Sequence, residues 1–179
     1  MLKKILLALA VIMVVLLIVV GLQPSEYRVT RSITIAADPT VVFTQVDELK
    51  QWEAWSPWLK MDPAMKLTYS GPAAGVGAVS AWVGNSEVGE GRMTITESRP
   101  RELVRFNLEF FKPMTGTSAA EFTFKPEGSQ TVVTWSMTGK NNFIAKGICL
   151  IMNMDKMIGG QFEQGLASMK TVAEAAGKK

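Results

Sequence analysis

The chain has 179 residues, of which 47% are hydrophobic, and it contains no histidine and a single cysteine, Cys149. These absences exclude Ser-His-Asp and Cys-His catalysis, histidine-ligated metal sites and an internal disulfide. The formal net charge is +3, but without Lys3 and Lys4 the remaining 17 basic residues face 16 acidic ones and form no cluster, which argues against nucleic-acid binding.

The N-terminal segment, residues 1–24, is predicted to be a membrane anchor with a short linker. The 18 residues from Ile5 to Leu22 carry no charge, and a helix of this length crosses most of a bilayer's hydrocarbon core. The two lysines before the run favour a cytoplasmic N-terminus, which places the remainder on the outer side, in the periplasm or outside the cell. A signal peptide cut after Gly21, giving a secreted protein, is the alternative. No cysteine stands directly after the run, so a lipoprotein anchor is excluded.

Residues 25–179 are predicted to form one α+β domain. Apolar and polar residues alternate from Tyr27 to Ala36, which predicts a half-buried strand. Asp38-Pro39 then has the residue types of a helix N-cap followed by the first helical position. A second short helical segment, from Leu49 to Trp55, is predicted to end at Ser56-Pro57 because proline disfavours helix in the residue before it.

Six further strands are predicted between residues 66 and 138. Breaks that contain Gly, Pro or Asn separate them at regular intervals, which favours hairpins of one antiparallel meander. Glycines within the strands mark bulges and bends, so the sheet is predicted to be strongly curved. The predicted strands are Lys66–Ser70, Gly77–Val83, Gly89–Ser98, Glu102–Phe111, Thr117–Lys125 and Thr131–Thr138.

One long helix is predicted from Asn142 to Ala176, weakened or bent at Gly159-Gly160. Its apolar residues recur at spacings of three and four, so one face is apolar and packs on the concave face of the sheet. A nearly straight helix cannot contact a curved sheet everywhere, and the space between them is either filled by large side chains or open to a ligand.

Aromatic and methionine side chains dominate the positions predicted to face this space, and they suit irregular apolar pockets. The same residues also describe an ordinary packed core, and that alternative stays open. The residues predicted to line a cavity are Tyr69, Trp82, Met93, Phe106, Phe110, Trp135, Met137, Met154 and Ile158.

Five segments of the chain carry a resemblance to a known family: Arg31–Ile35, Asp38–Phe43, Trp52–Trp58, Gly89–Met93 and Phe162–Leu166. They resemble bacterial members of the polyketide cyclase/dehydrase branch of the SRPBCC, or START-like, superfamily. The order of elements resembles that superfamily's helix-grip fold, which implies a curved antiparallel sheet of about seven strands, two short helices after the first strand and a long C-terminal helix. Because the superfamily includes cyclases, lipid carriers and hormone receptors, the resemblance implies a fold and leaves the activity open.

No catalytic residue is assigned, and Glu97 is the one candidate. It shares parity with Met93 and Ile95 on a predicted strand, so period two turns it inward, where burial would raise its pKa and make it an acid or base. The alternative is a strand-end charge at the cavity rim. Arg105 and Glu109 are predicted to share the outer face of the sheet as solvated charges.

Trp55 and Trp58 are predicted to lie at the rim of the cavity or near a membrane interface, where tryptophan is favoured. The alternative for Trp55 is that it packs the short helices onto the sheet. No metal, cofactor or nucleic-acid partner is predicted. Three functions remain open: a membrane-tethered module that binds a hydrophobic small molecule or lipid, a cyclase or dehydratase for a polyketide-like substrate that uses Glu97, Tyr69 or Arg105, and an envelope interaction protein without a ligand.

Overall fold

The computed structural model describes residues 1–151 and 153–177, and of Cys149, Ile151 and Met154 only the backbone. Five α-helices, one 3₁₀ helix and seven strands are present in these ranges. They are α1 (Leu2–Gly21), β1 (Glu26–Ile35), α2 (Pro39–Asp47), the 3₁₀ helix (Leu49–Ala54), α3 (Pro57–Met61), β2 (Lys66–Ser70), β3 (Val79–Val83), β4 (Glu90–Arg99), β5 (Leu103–Lys112), β6 (Gly116–Glu127), β7 (Gln130–Lys140), α4 (Phe143–Ile151) and α5 (Met154–Ala176).

The seven strands form one curved antiparallel sheet in the order β1-β7-β6-β5-β4-β3-β2. Strands β2 to β7 follow one another as a meander of hairpins, and β1 pairs along its whole length with β7, from Glu26 opposite Lys140 to Ile35 opposite Thr131. The glycine and proline breaks therefore marked the turns correctly. The architecture confirms the predicted α+β helix-grip fold.

Helix α5 lies across β1, α2 and α3 and buries one apolar face. Phe162, Leu166, Met169 and Ala173 follow spacings of four, three and four, and each is at most 1% exposed. This spacing places them on one side of a helix, so the sequence pattern and the burial agree. The packed part of α5 holds the helix against the sheet and thereby positions the residues of its first turns.

The prediction of one unbroken C-terminal helix was wrong, because the structure has two helices, α4 and α5. Asn153 has an extended backbone, and its side-chain Oδ1 accepts a hydrogen bond of 2.9 Å from the backbone N–H of Lys156. Such an N-cap begins a new helix and does not continue the preceding one. The predicted weak point, Gly159-Gly160, lies inside α5 and is helical.

Helix α1 is long and apolar enough, by length and composition, to cross a membrane. Its side chains are exposed along its length except for Val20 near the C-terminal end. That end contacts α4, where Lys146 Nζ lies 3.4 Å from the carbonyl oxygen of Gly21. Helix α1 therefore makes its contact with the rest of the chain at the last turn.

The predicted inward orientation of Glu97 was wrong, because β4 contains a β-bulge. Ile95 lies opposite Phe106, but the next pair is Glu97 opposite Arg105, so β4 has one extra residue at this point. A bulge of one residue exchanges the two faces of the strand beyond it. Glu97 consequently points to the outer face and forms ion pairs with Arg99 and Arg105.

Candidate ligand-binding cavity

The part of the interior beneath the 3₁₀ helix is filled by aromatic rings. Trp52 and Trp55 lie with ring centroids 4.4 Å apart, and their indole N–H groups donate to the carbonyl oxygens of Val46 and Gln45. These hydrogen bonds satisfy the only polar atom of each ring, so both rings can be buried at little cost. Trp55 is 0% exposed. The prediction that Trp55 lies at the cavity rim was therefore wrong, because the ring packs the short helices onto the sheet.

Three rings form a stack that joins the sheet to α5. Trp135 of β7 stacks on Phe162 of α5 at 3.9 Å and 8°, and on Phe122 of β6 at 4.7 Å and 28°. Period two places Phe122 and Trp135 on the inner face of adjacent strands, directly opposite one another. Each of the three is at most 2% exposed. The stack closes one side of the remaining interior.

Beside this stack the interior is hollow, with a cavity of about 290 Å³. Its volume is close to the lower end of the range of small-molecule sites, about 300–1,000 Å³. Trp58 of α3 is half-buried and also lines it. The side chain of Met154, predicted as a lining residue, lies outside the described part of the chain. The other residues predicted to line a cavity are found in its wall: Tyr69, Trp82, Met93, Phe106, Phe110, Trp135, Met137 and Ile158.

A second group of lining residues was not found from the sequence. Helix α3 and the turn after it contribute Leu59, Met61 and Met65, and the first turn of α5 contributes Met157. Strand periodicity gives no information about residues on short helices and turns. The methionine content of these segments was a signal that could have identified them as lining residues. Among the methionines whose side chains the structure describes, five line the cavity, and their flexible side chains let the wall adapt to different shapes.

The ring of Trp82 fits into the cavity wall because the residue opposite it on the neighbouring strand is a glycine. Trp82 of β3 lies opposite Gly91 of β4, and its six-membered ring occupies the space where a side chain at Gly91 would be. The same position is closed from the other side by the carbonyl oxygen of Glu109, at 2.6 Å from where a Cβ would lie. Trp82 packs edge to face on Phe110 with centroids 6.0 Å apart. Gly91 thus allows an aromatic pair to form the far wall.

Arg31 of β1 holds the first turns of α5 over the cavity. Its guanidinium donates to both carboxylate oxygens of Asp155 at 3.0 Å and to Glu163 Oε1 at 2.6 Å. The guanidinium lies where a side chain at Gly159 would be, so this glycine permits the close approach. The hydrogen bond from Arg31 lowers the pKa of Asp155 below its usual value. Ile158 lies between these contacts and reaches the cavity.

Polar groups in the wall are few, and two of their atoms lack a partner. Among the described residues, Trp135 Nε1 and Gln161 Oε1 are buried without a hydrogen bond. Both residues line the cavity. Tyr69, which also lines it, donates from its hydroxyl to Glu53 Oε1 at 2.7 Å, and burial raises the pKa of that hydroxyl. The lining residues therefore include one donor and one acceptor without a hydrogen-bond partner.

The groups named as candidates for catalysis do not meet in this cavity. Glu97 and Arg105 lie on the outer face, where Arg105 also pairs with Glu121 and its pKa is raised by that carboxylate. Of the described lining residues only Glu87 carries a carboxylate, and it is exposed. Within the same described ranges no group of three or more acidic or cysteine side chains is arranged to hold a metal ion.

Comparison with known proteins supports this architecture. A family model described as polyketide cyclase / dehydrase and lipid transport matches residues 26–174. A search of curated proteins found no match.

Solved structures share the fold at low sequence identity. TTHA0849 from Thermus thermophilus is 20% identical with a TM-score of 0.60, covering 84% of this chain and 99% of that one. The Aha1 dimer from Colwellia psychrerythraea is 17% identical with a TM-score of 0.60, covering 83% and 96%. CV1439 from Chromobacterium violaceum is 16% identical with a TM-score of 0.57, covering 84% and 98%. At such identities the likeness shows the fold alone.

Proposed function

The chain belongs to the polyketide cyclase / dehydrase and lipid transport family, and from this premise we propose that it is a membrane-tethered module whose cavity binds a lipid or another hydrophobic small molecule. The observation that carries the proposal is the cavity of about 290 Å³ beside a closely packed aromatic stack. Natural cores contain few voids larger than a water molecule. A cavity of this size beside closely packed rings is therefore a space that the fold keeps open. The walls are apolar, so an apolar ligand gains by leaving water.

The two unpaired atoms in the wall indicate what kind of molecule fits. A buried donor or acceptor without a partner costs about 1–3 kcal/mol. A hydroxyl or a protonated carboxylic acid can accept from Trp135 Nε1 and donate to Gln161 Oε1, whereas a pure hydrocarbon satisfies neither atom. We therefore propose an amphiphilic ligand with an apolar body and one such polar group.

Tethering is proposed from helix α1. Its 20 residues reach about 30 Å, which matches the hydrocarbon core of a bilayer. Lys3 and Lys4 favour a cytoplasmic N-terminus and a domain on the outer side. Alkaline phosphatase fused after Lys179 is expected to be active, since that enzyme folds only outside the cytoplasm. An inactive but stable fusion would reverse the orientation.

The binding proposal can be tested in the membrane with the full chain. Cells that express it are fed a fatty acid bearing a diazirine, and irradiation then links the probe to the residues that it touches. We expect adducts on α1 and also on peptides that carry the cavity residues Met93 and Met137. Adducts on α1 serve as an internal control for probe incorporation. Their presence without adducts on the wall peptides would contradict the proposal.

A substitution that fills the cavity distinguishes binding inside it from binding on the protein surface. Leu108 is half-buried on β5 and lines the cavity, so Leu108→Trp fills space without removing packing. Wall adducts are expected to fall at least about tenfold, which corresponds to about 1.4 kcal/mol, while the adducts on α1 stay constant. Lipid extracts of the two purified proteins, compared by mass spectrometry, identify the natural ligand as the species enriched with the wild type. Equal adducts and equal extracts would exclude the cavity as the binding site.

A further inference from the structure

Exposed apolar side chains are concentrated near the point where α1 meets the rest of the chain. Beyond Leu22, eight large apolar side chains of described residues are exposed. One of them, Val76, lies in the loop between β2 and β3, at the end of the sheet opposite to α1. The other seven lie at the α1 end of the sheet, on α4 or in the first turn of α5, and they include Phe111, Met114, Phe143, Ile144 and Leu150.

The strand register shows that these elements share one end of the sheet. β1 begins at Glu26, a few residues after α1 ends, and Glu26 lies opposite Lys140, the last residue of β7, shortly before α4 begins at Phe143. The hairpin between β5 and β6 turns at the same end, since Gly139 pairs across to β6 and Phe110 pairs with Gly116. The exposed apolar side chains of the hairpin and of α4 therefore lie on the side of the domain from which α1 extends.

Helix α4 contacts the end of α1 at Gly147. Phe143, Gly147 and Leu150 follow spacings of four and three, which places them on one face of the helix. Gly147 belongs to this face and lies next to Val20, with 4.0 Å between Val20 Cγ2 and the position of a Cβ on the glycine. Since α1 is just long enough to span a bilayer, Val20 lies at the bilayer surface, and α4 lies at the same level.

We infer that α4 lies in the lipid–water interface of the bilayer that α1 spans, with Phe143, Ile144 and Leu150 among the acyl chains. This inference rests on the proposed function, because it takes α1 as membrane-spanning. A helix with an apolar face and lysines around it is the type that lies in the plane of a membrane surface.

Charge around α4 suits anionic lipid headgroups. Lys140, Lys146 and Lys156 lie in or beside the helix. The acidic residue of this segment, Asp155, is held by Arg31. Lys140 and Lys156 are exposed at the level where lipid phosphates lie, while Lys146 donates to the carbonyl oxygen of Gly21.

The position of α4 places the entrance of the cavity against the membrane. Met157, in the first turn of α5, lines the cavity and is also 45% exposed. It follows α4 by a few residues, so a lipid beside α4 reaches the cavity wall at Met157. A ligand can then pass between the acyl region and the cavity without crossing bulk water.

Depth-dependent quenching tests the position of α4 with the full chain in vesicles of phosphatidylcholine and phosphatidylglycerol. An environment-sensitive fluorophore is attached to Ile144→Cys in a Cys149→Ser background. Val76→Cys is the matched control, because it is an exposed apolar position at the opposite end of the sheet. Spin-labelled lipids are expected to quench the label at 144 several-fold more than the label at 76. Equal quenching would overturn the inference, and so would a label at 144 that is shielded without lipid quenching, which indicates a protein partner.

A second measurement separates this inference from the proposed function. Ile144→Glu places a charge in the acyl region and is expected to slow the appearance of diazirine adducts on the cavity wall several-fold. Val76→Glu is expected to leave the rate unchanged. Wall adducts that form equally fast in both variants would overturn the role of α4 and leave the cavity proposal intact, whereas the absence of wall adducts in the wild type would contradict the cavity proposal itself.

Discussion

Two halves of one interior, built from the same kinds of residue, differ in how closely their rings pack. In the packed half, Phe122, Trp135 and Phe162 stack at distances of 3.9 and 4.7 Å. In the hollow half, Trp82 and Phe110 touch edge to face at 6.0 Å and leave open space in front of them. The strand residues of both sets face inward by the same two-residue alternation. The difference shows that an inward direction alone does not decide between a core and a binding site.

Two elements fill the packed half: the 3₁₀ helix, which lies between β1 and β2 in the chain, and the C-terminal helix α5. The 3₁₀ helix brings Trp52 and Trp55 onto Phe122, and α5 brings Phe162 onto Trp135. Over β3 to β5 the corresponding cover comes from α3 and the first turn of α5, which contribute the thinner side chains Met61 and Met157. The hollow therefore lies where the covering elements contribute flexible methionine side chains and, besides them, the half-buried ring of Trp58.

The largest expected effect comes from removing a ring of the packed half. Phe122→Ala deletes a side chain that is 0% exposed and contacts four rings, so it should cost about 3–5 kcal/mol, or roughly 10 °C in Tm. Phe110→Ala is the matched change in the hollow half. Its ring already has open space on one side, so the loss should be about 1–2 kcal/mol.

Thermal unfolding of the full chain in mild detergent, followed by near-UV circular dichroism, measures both losses. Wild type and the two variants are compared at one detergent concentration. Equal losses for Phe122→Ala and Phe110→Ala would mean that the two halves are packed alike, and the distinction between core and cavity would fail.

The sequence predicted the fold better than it predicted the site, for identifiable reasons. Alternation and glycine or proline breaks are local signals, and they placed the strands of the meander within a few residues. Glu97 was assigned to the wrong face because a bulge after Ile95 is a property of strand pairing, which no single strand encodes. Trp55 was placed at a rim because exposure depends on which ring the fold sets against it. The break at Asn153 was missed because asparagine inside an apolar pattern looks like a solvated helix position.

The next largest loss of stability is expected from a substitution in the hollow half, at Gly91. Gly91→Ala introduces a methyl group into the space taken by the ring of Trp82 and near the carbonyl oxygen of Glu109. Overpacking of this kind costs about 1–3 kcal/mol. The ring can move only towards the cavity, so we also expect fewer diazirine adducts on the wall.

Gly116→Ala is the control for this glycine, because nothing lies within 4 Å of the added methyl group. It should leave both Tm and adduct yield close to those of the wild type. If Gly91→Ala lowers Tm but leaves the wall adducts unchanged, Trp82 does not bound the space that the probe occupies.

A smaller effect of opposite sign is expected from Gln161→Leu. The substitution removes a buried acceptor that has no partner and keeps a side chain of similar length, so it should raise stability by about 1 kcal/mol. It should also reduce the preference of the cavity for a hydroxylated probe over its hydrocarbon analogue. Competition between the two probes in the crosslinking assay measures this preference. A Tm that falls, with the preference unchanged, would show that Gln161 is satisfied in another way.

The smallest effect lies at the boundary between the halves, where Arg31 fixes the first turns of α5. The pKa of Asp155 is lowered by its hydrogen bonds to Arg31, so the folded protein holds this carboxylate ionised more readily than the unfolded chain does. The stabilisation is present above the unfolded value of about 3.8 and is lost as the pH falls through the lower, folded value. Asp155→Asn should therefore lower Tm slightly at neutral pH, and the difference from the wild type should vanish well below pH 3.8.

The pH dependence of Tm shows whether ion pairs or apolar packing hold the first turns of α5, which cover the hollow half. Because Asp155 is exposed, packing of its side chain contributes little, and a pH-dependent difference isolates the ion pair. Arg31→Met, which removes the pairs with Asp155 and Glu163 together, should show the larger loss of Tm at neutral pH. Tm curves for Asp155→Asn and the wild type that stay parallel down to acidic pH would instead mean that apolar packing, which includes the stack of Trp135 on Phe162, fixes α5 and its first turns above the cavity.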